Sequence, residues 1–388
     1  MVSLKLFIQS RRYFASAFLY ACFSLIFSTW VTYIPQISDK LGITEGRIGK
    51  AIFFSGFGAF FMIRIARRVV DRIGVGRYAF FALLGYSASF FLLFLAWNYT
   101  ALCTALFIFG MAGASYGISI NSLTATIEKQ DGVYVMSGSH GFWSMGGMIG
   151  SATGSFLAAL VHNPILHISL LISAILAIHF SLRKEYYHRR GEHQEEEKTQ
   201  QANLKPLFII ALIGLVVMVS EGAIADWSAL YLKKIIHLDL KYIGFGYSAF
   251  SLAMMIGRFT GDKLSQKLGS WLLITYASVI AIAGFAMVLF LRPAISLPGF
   301  FIIGLGFSVI VPEVYRLASK IEGVKTAYGV AFVAATSNIG FLVGPVLLGF
   351  VAEMRSLHLS FIVLNIWVSL AFIFAFLKYR NSLRPVRA

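Results

Sequence analysis

Charged side chains are scarce in this sequence. Asp, Glu, Lys and Arg together make up 13% of the 388 residues, whereas a soluble domain carries about 25%. Hydrophobic residues make up 58% of the chain, and its mean hydropathy is +0.77. This composition argues against a soluble protein and favours a chain that lies within a membrane.

Motifs for enzymatic chemistry are also lacking. No HExxH or CxxC string occurs, and the one GxSxG string, at 113–117, lies within the apolar segment 99–124. The string nearest to a phosphate-binding loop, at residues 46–50, fails its spacing. Cys22 and Cys103 lie in apolar stretches, where we expect them to pack rather than to form disulfides or bind a metal. We therefore expect no enzymatic activity, no cofactor, no metal site and no transport driven by ATP.

Long apolar stretches are abundant. A stretch of about 20 residues forms a helix that spans the hydrocarbon core of a bilayer. Such segments can be drawn at 14–35, 48–66, 77–96, 99–124, 136–160, 164–182, 206–232, 241–262, 271–291, 297–318, 326–351 and 357–378. Two groups of six apolar segments are typical of secondary transporters.

The basic residues are unevenly distributed along the chain. The net charge is +16, and 25 of the 33 Lys and Arg lie in segments that are cytoplasmic if the N-terminus is inside. This is the positive-inside bias of membrane proteins, so the charge reflects topology and does not indicate a nucleic-acid partner. Both termini are predicted to be cytoplasmic.

The chain divides near its middle. Residues 183–205 combine a basic block, an acidic run and several amides, which predicts a solvated cytoplasmic linker. We predict an N-terminal six-helix bundle at 1–182 and a C-terminal six-helix bundle at 206–388.

Two sequence patterns recur in the two halves. The string at 67–72 has the pattern R-x-x-x-D-R, and the string at 258–263 has the pattern R-x-x-x-D-K. A G-x-x-x-G pattern occurs at 146–150 and again at 340–344. Small residues four apart let helix backbones approach closely in lipid. The recurrences indicate a duplicated half.

The motif at 71–77, DRIGVGR, resembles the loop motif between helices two and three of the major facilitator superfamily, with Arg67 where the family pattern has Gly. Segments 27–35, 140–144 and 221–227 resemble a bacterial group often placed with fucose permeases. The resemblance covers the whole chain. It implies an all-α membrane protein with twelve transmembrane helices in two pseudo-symmetric six-helix bundles. It also implies a secondary transporter of the bacterial inner membrane that works by alternating access, and we expect a monomer.

The recurring charged strings suggest gates. A carboxylate beside arginines at a helix end can form ion pairs in one conformation and lose them in another. We predict such gating roles for Asp71 with its basic neighbours and for Asp262 with Arg258 or Lys263. The predicted gating residues are Arg67, Asp71, Arg72, Arg258 and Asp262. The alternative is that these residues only mark the cytoplasmic boundary.

Glu221 is the leading candidate for proton coupling. It lies about 22 Å into the seventh segment at 1.5 Å per residue, and no Lys or Arg is predicted at its depth. Burial in a membrane disfavours the charged form of a carboxyl, so the group can bind and release a proton. His140, near the cytoplasmic end of the fifth segment, is a second candidate. Either residue could instead serve packing alone.

Polar and aromatic side chains suggest a solute site. Amide groups can bond to hydroxyl or amide ligands, and aromatic rings can stack on sugar rings. The candidate substrate residues are Trp30, Tyr33, Asn121, Trp143, Trp227, Tyr247 and Asn338. The aromatic members could equally be interfacial anchors. The sequence favours proton-coupled symport of a small sugar-like solute, and it leaves open proton-driven efflux of amphipathic compounds.

Overall fold

The computed structural model describes residues 2–133, 135–161, 163–190, 205–321, 324 and 326–382. Throughout these residues the secondary structure is helical, without a β-strand. The helices are α1 (Val2–Gln9), α2 (Arg11–Leu41), α3 (Glu45–Ile73), α4 (Val75–Leu95), α5 (Tyr99–Asp131), α6 (Met136–Leu160), α7 (Pro164–Leu182), α8 (Lys205–Lys234), α9 (Phe245–Leu268), α10 (Ser270–Val288), α11 (Pro293–Ala318), α12 (Thr326–Met354) and α13 (Leu357–Ser382). Short 3-10 turns occur at Arg183–Glu185 and Leu240–Tyr242.

Helices α2 to α13 correspond one by one to the predicted apolar segments. Within the described residues, nine of these helices are long and apolar enough to cross a membrane, by length and composition. Helices α3, α6 and α9 do not meet that criterion, because α3 and α9 contain several charged residues and α6 is rich in Gly and Ser. The all-α membrane fold is confirmed, and the full count of twelve spans stays a prediction.

Helix ends coincide with residues that favour them. The Asn163 side chain accepts a hydrogen bond from the backbone N–H of Ile165 at 3.0 Å, at the start of α7. This bond satisfies an N–H group that the first helical turn leaves without a partner. Gly42 and Gly132 follow α2 and α5 with φ angles of 59° and 66°, a conformation that glycine adopts without steric cost.

The chain forms two compact units. Unit 1 comprises Met1–Glu195 and Asp239–Ser248, and unit 2 comprises Glu196–Leu238 and Ala249–Ala388. The predicted division into 1–182, 183–205 and 206–388 stays a prediction. It differs from the units most clearly at 239–248, a segment of the predicted second bundle that groups with unit 1.

Backbone contacts explain why the segment 239–248 belongs to unit 1. The Ser155 hydroxyl of α6 donates to the carbonyl of Lys241 at 3.1 Å, and the Ser248 hydroxyl donates to the carbonyl of Met148 at 2.9 Å. Between these bonds the backbone of Gly244 lies against Ser151, where a Cβ would overlap the Ser151 carbonyl. A glycine is therefore needed at position 244 for this approach.

In unit 1, α2 and α6 pack through glycines. A Cβ added at Gly150 would lie 2.6 Å from the carbonyl oxygen of Leu25, and one added at Gly146 would overlap the carbonyl of Ala21. The G-x-x-x-G pattern at 146–150 thus marks a close helix contact, as predicted.

Unit 2 contains the matching contact between α8 and α12. A Cβ at Gly340 would lie 2.5 Å from the carbonyl oxygen of Leu215, and one at Gly344 would lie 2.7 Å from that of Val219. The second G-x-x-x-G pattern therefore has the same structural role as the first, and the predicted correspondence between the fifth and eleventh segments is confirmed.

A tyrosine–histidine pair also occurs once in each unit. The Tyr33 hydroxyl of α2 hydrogen-bonds to Nδ1 of His167 in α7 at 2.8 Å. The Tyr231 hydroxyl of α8 hydrogen-bonds to Nδ1 of His358 in α13 at 2.9 Å. Because α2 and α8 are the first long helices of the two halves, and α7 and α13 the last, this second repeated contact supports duplication. The sequence patterns did not reveal it.

The first part of the predicted linker is folded. Tyr186 is 1% exposed, and its hydroxyl bonds to Nδ1 of His179 at 2.9 Å. Burial raises the pKa of the Tyr186 phenol, which keeps it neutral. Tyr186 and Tyr187 therefore pack on α7 and α4, within a segment whose charged residues Arg183, Lys184 and Arg190 are exposed. The solvated linker stays a prediction for the rest of the segment. Residues 191–204 lie outside the described residues.

Candidate functional site

An ion pair joins two helices of unit 2 near their midpoints. Oε1 of Glu221 in α8 lies 3.7 Å from Nη2 of Arg258 in α9. The two side chains are 15% and 21% exposed, respectively. The separation is longer than a hydrogen bond, so the attraction is electrostatic.

This pair corrects the prediction that Glu221 has no basic residue at its depth. The eighth apolar segment was drawn to end at residue 262, which puts Arg258 near the cytoplasmic end of a span. The helix in fact continues to Leu268. The longer helix moves Arg258 to mid-helix, where it pairs with Glu221. The predicted pairing of Arg258 with Asp262 stays a prediction, because the Asp262 side chain lies outside the described residues. Hydropathy misses this extension because the last turns of α9 are polar.

A second acid of α8 is more deeply buried than Glu221. Asp226 is 5% exposed, and it makes no hydrogen bond or ion pair with any described residue. Its neighbour Trp227 is fully buried and donates from Nε1 to the carbonyl oxygen of Pro345 in α12 at 3.1 Å.

Unit 1 contains a polar and aromatic cluster between α2, α5 and α6. The Tyr20 hydroxyl donates to Oδ1 of Asn121 at 2.6 Å, and the Tyr20 ring meets the His140 ring edge-on at 4.9 Å between centroids. The Phe23 ring meets Trp143 in the same way at 4.5 Å. The structure thus brings together three predicted residues, Asn121, His140 and Trp143. Sequence reasoning missed Tyr20 and Phe23, which lie one turn apart on α2.

Other predicted solute residues lie in packed interiors. Trp30, Tyr33 and Trp227 are 3%, 1% and 0% exposed, so in this conformation none presents a ring face to a solute. Tyr247 is also buried, in the segment that packs on α6, whereas Asn338 of α12 is exposed. Burial of a side chain depends on neighbouring helices, which residue type alone does not specify.

The predicted gates stay predictions. The side chains of Arg67, Asp71 and Asp262 lie outside the described residues, and Arg72 is exposed. In the same motif, Gly74 separates α3 from α4 with a φ of 86°, which explains a glycine there.

Two charged contacts lie at helix ends away from these residues. Asp131 at the end of α5 accepts from Arg12 at 2.9 Å and from Arg189 of the linker at 3.1 Å. Glu313 and Arg316 of α11 are 2.6 Å apart, a contact that their i, i+3 spacing on one helix face allows. The described residues contain no group of three or more His, Cys, Asp or Glu side chains that could hold a metal ion.

Comparisons with known proteins agree with this architecture. The family model of the Major Facilitator Superfamily matches residues 15–322. The uncharacterized transporter y4wD of Sinorhizobium fredii (strain NBRC 101917 / NGR234) is 27% identical over 361 residues, which cover 90% of this chain and 94% of that protein.

Two solved structures share the fold. The nucleoside transporter NupG superposes with a TM-score of 0.70 at 14% identity, covering 97% of this chain and 100% of NupG. A variant of the E. coli fucose:proton symporter FucP superposes with a TM-score of 0.60 at 17% identity, covering 94% of this chain and 98% of FucP. Identities this low show a shared fold alone. Because the family model spans most of the sequence, the chain belongs to the Major Facilitator Superfamily of membrane transporters and is not an enzyme.

Proposed function

We propose that this transporter carries a small, polar, hydroxylated solute together with protons across the bacterial inner membrane. The observation that carries the proposal is the ion pair between Glu221 and Arg258 at mid-helix. Ionisable side chains within a membrane are costly and mark substrate and ion pathways. A carboxylate that faces a guanidinium can exchange that partner for a proton.

The geometry of the pair supports a coupling role. A charged Glu221 attracts Arg258, and a protonated Glu221 does not. At 3.7 Å the contact lacks the short hydrogen bond that would fix it, so a solute hydroxyl can bond to either group as the pair opens. Protonation and solute binding are then linked, and each changes the affinity for the other. His140 is the second candidate for this role.

The cluster in unit 1 supports the solute class. Tyr20, Asn121 and His140 provide hydroxyl, amide and imidazole groups, which bond to neutral hydroxylated ligands. Trp143 adds an aromatic surface beside them. The names of the two structural neighbours, a nucleoside transporter and a fucose:proton symporter, agree with this class and with proton coupling.

A transport assay tests the proposal. The purified protein is reconstituted in proteoliposomes, and an outside-acid pH gradient is imposed with radiolabelled L-fucose or uridine outside. We expect the gradient to drive accumulation of a hydroxylated solute. Glu221→Gln, which mimics the protonated acid, should retain counterflow exchange and lose accumulation. Glu353→Gln, which removes an exposed carboxyl of α12, is the matched control and should accumulate normally.

Two results would overturn parts of the proposal. Accumulation by Glu221→Gln would exclude coupling through Glu221 and leave His140 as the candidate. Gradient-driven export of ethidium, without uptake of either solute, would replace symport with the efflux of amphipathic compounds.

A further inference from the structure

Helix α8 carries two buried acids in different surroundings. Glu221 faces Arg258, whereas Asp226 lies five residues later on α8, about 7.5 Å further along the helix axis. Asp226 is 5% exposed and has no hydrogen-bond or ion-pair partner among the described residues. The role proposed for the Glu221–Arg258 pair leaves Asp226 unused.

An isolated carboxylate cannot remain charged at such a position at low cost. Moving an unpaired ion into a medium of low polarity costs so much free energy that the group takes up a proton instead. Glu221 avoids that cost through Arg258. For Asp226, the neutral acid is the form that its surroundings favour.

Among the described residues, the helices packed against α8 bring no charged group into bonding contact with Asp226. The contacts that each neighbouring helix makes with α8 show where its ionisable groups lie along the α8 axis. Val314 of α11 packs at Gly214, which lies about 18 Å along the axis from Asp226, and the neighbouring Glu313 and Arg316 pair with each other. Tyr315 of the same helix makes no hydrogen bond to Asp226. In α13, the ionisable residues Lys378, Tyr379 and Arg380 lie near the C-terminal end of the helix.

The described ionisable groups of α12, α13 and α9 do not bond to Asp226 either. The Pro345 carbonyl of α12 accepts from Trp227, Glu353 is exposed about two turns further along α12, and Tyr328 lies near the opposite end of that helix. His358 of α13 lies at the level of Tyr231 and bonds to it. Arg258 of α9 faces Glu221. None of these groups bonds to Asp226.

We propose that Asp226 is a second proton-binding site of this transporter and that it holds a proton in the conformation described here. This inference rests on the proposed proton-coupled function. The proton binds to one carboxylate oxygen of Asp226 and forms a neutral carboxylic acid. With the N-terminus inside, Asp226 lies on the outer side of the Glu221–Arg258 pair, so a proton from outside reaches Asp226 before Glu221.

Infrared difference spectroscopy tests this site without a solute. Purified protein in proteoliposomes is titrated from neutral to alkaline pH while the carbonyl stretch of protonated carboxylic acids is recorded. We expect a band that is lost at alkaline pH, shifts in the protein labelled with ¹³C-aspartate, and is absent from Asp226→Asn. The band should persist in Glu221→Gln and in Glu353→Gln. The isotope-labelled wild type keeps the test valid if Asp226→Asn does not fold.

The inference is overturned if the wild type lacks the band or if ¹³C-aspartate leaves it unshifted. In the transport assay, Asp226→Asn should exchange solute but not accumulate it. Normal accumulation by Asp226→Asn would reject the proposal that Asp226 is a second proton-binding site, and it would leave the proposed proton-coupled transport intact. If the infrared band is present but the wild type accumulates no solute, the proposed transport function is rejected. The conclusion that Asp226 is protonated then still stands.

Discussion

Glu221 and Arg258 face each other across 3.7 Å near the midpoints of α8 and α9. The pair is close enough for attraction and too long for a hydrogen bond. It gives the Glu221 carboxylate a partner on another helix, so protonation of Glu221 changes a contact between helices and not only the charge of one side chain. The predictions below test this contact, the glycine contacts, the tyrosine–histidine pairs and the topology.

A double-mutant cycle tests the Glu221–Arg258 pair. Glu221→Gln removes the carboxylate that faces the Arg258 guanidinium, and we expect a loss of about 2 kcal/mol, below the roughly 3–5 kcal/mol of fully buried pairs because both groups are partly exposed. Arg258→Gln should cost a similar amount, and the double variant should recover part of the loss. Thermal unfolding in detergent measures the effect. Additive losses in the double variant would show that the two residues do not interact.

The glycine contact between α2 and α6 predicts a steric penalty. Gly150→Ala places a Cβ at 2.6 Å from the Leu25 carbonyl oxygen, so we expect the two helices to be forced apart at a cost of about 1–3 kcal/mol. The matched control is Gly85→Ala in α4, whose Cβ meets no atom within 4 Å. Equal unfolding temperatures for the two variants would contradict the close packing.

The repeated tyrosine–histidine pairs predict equivalent losses in both units. Tyr33→Phe and Tyr231→Phe each remove one hydrogen bond to a histidine, and each should lower stability by about 1 kcal/mol. Tyr276→Phe, at a side chain that is 53% exposed, is the control and should have no measurable effect. If only one of the two substitutions lowers stability, the two tyrosine–histidine pairs are not equivalent in the two halves.

The distribution of Lys and Arg predicts the topology. Cysteines introduced at Gln194 and Ser382 should not react with an impermeant thiol reagent in intact cells, since both positions are predicted to be cytoplasmic. The native Cys22 and Cys103 are buried at 3% and 7% exposure, so they give little background. Permeabilised cells are the positive control, and labelling of either position in intact cells would reverse the orientation.

Much of the fold could be predicted because it depends on local properties. Apolar length determines where a helix can cross a membrane, and the segment at 136–160 coincides with α6. The G-x-x-x-G patterns predicted close packing, because the absence of a side chain is visible in the sequence. Helix α1 was missed because eight residues are too short to register as a span, although Phe7 packs against Phe142.

The sequence by itself determined the membrane location, the order of the long helices, the duplicated glycine patterns and the family. These properties depend on hydropathy and spacing along one chain. Only the tertiary structure decided which charged groups meet. Arg258 reaches Glu221 because α9 continues past the last apolar turn, whereas no described ionisable group of α11, α12 or α13 bonds to Asp226. Whether a buried acid is paired depends on neighbouring helices, and for that reason the candidate coupling site required three-dimensional information.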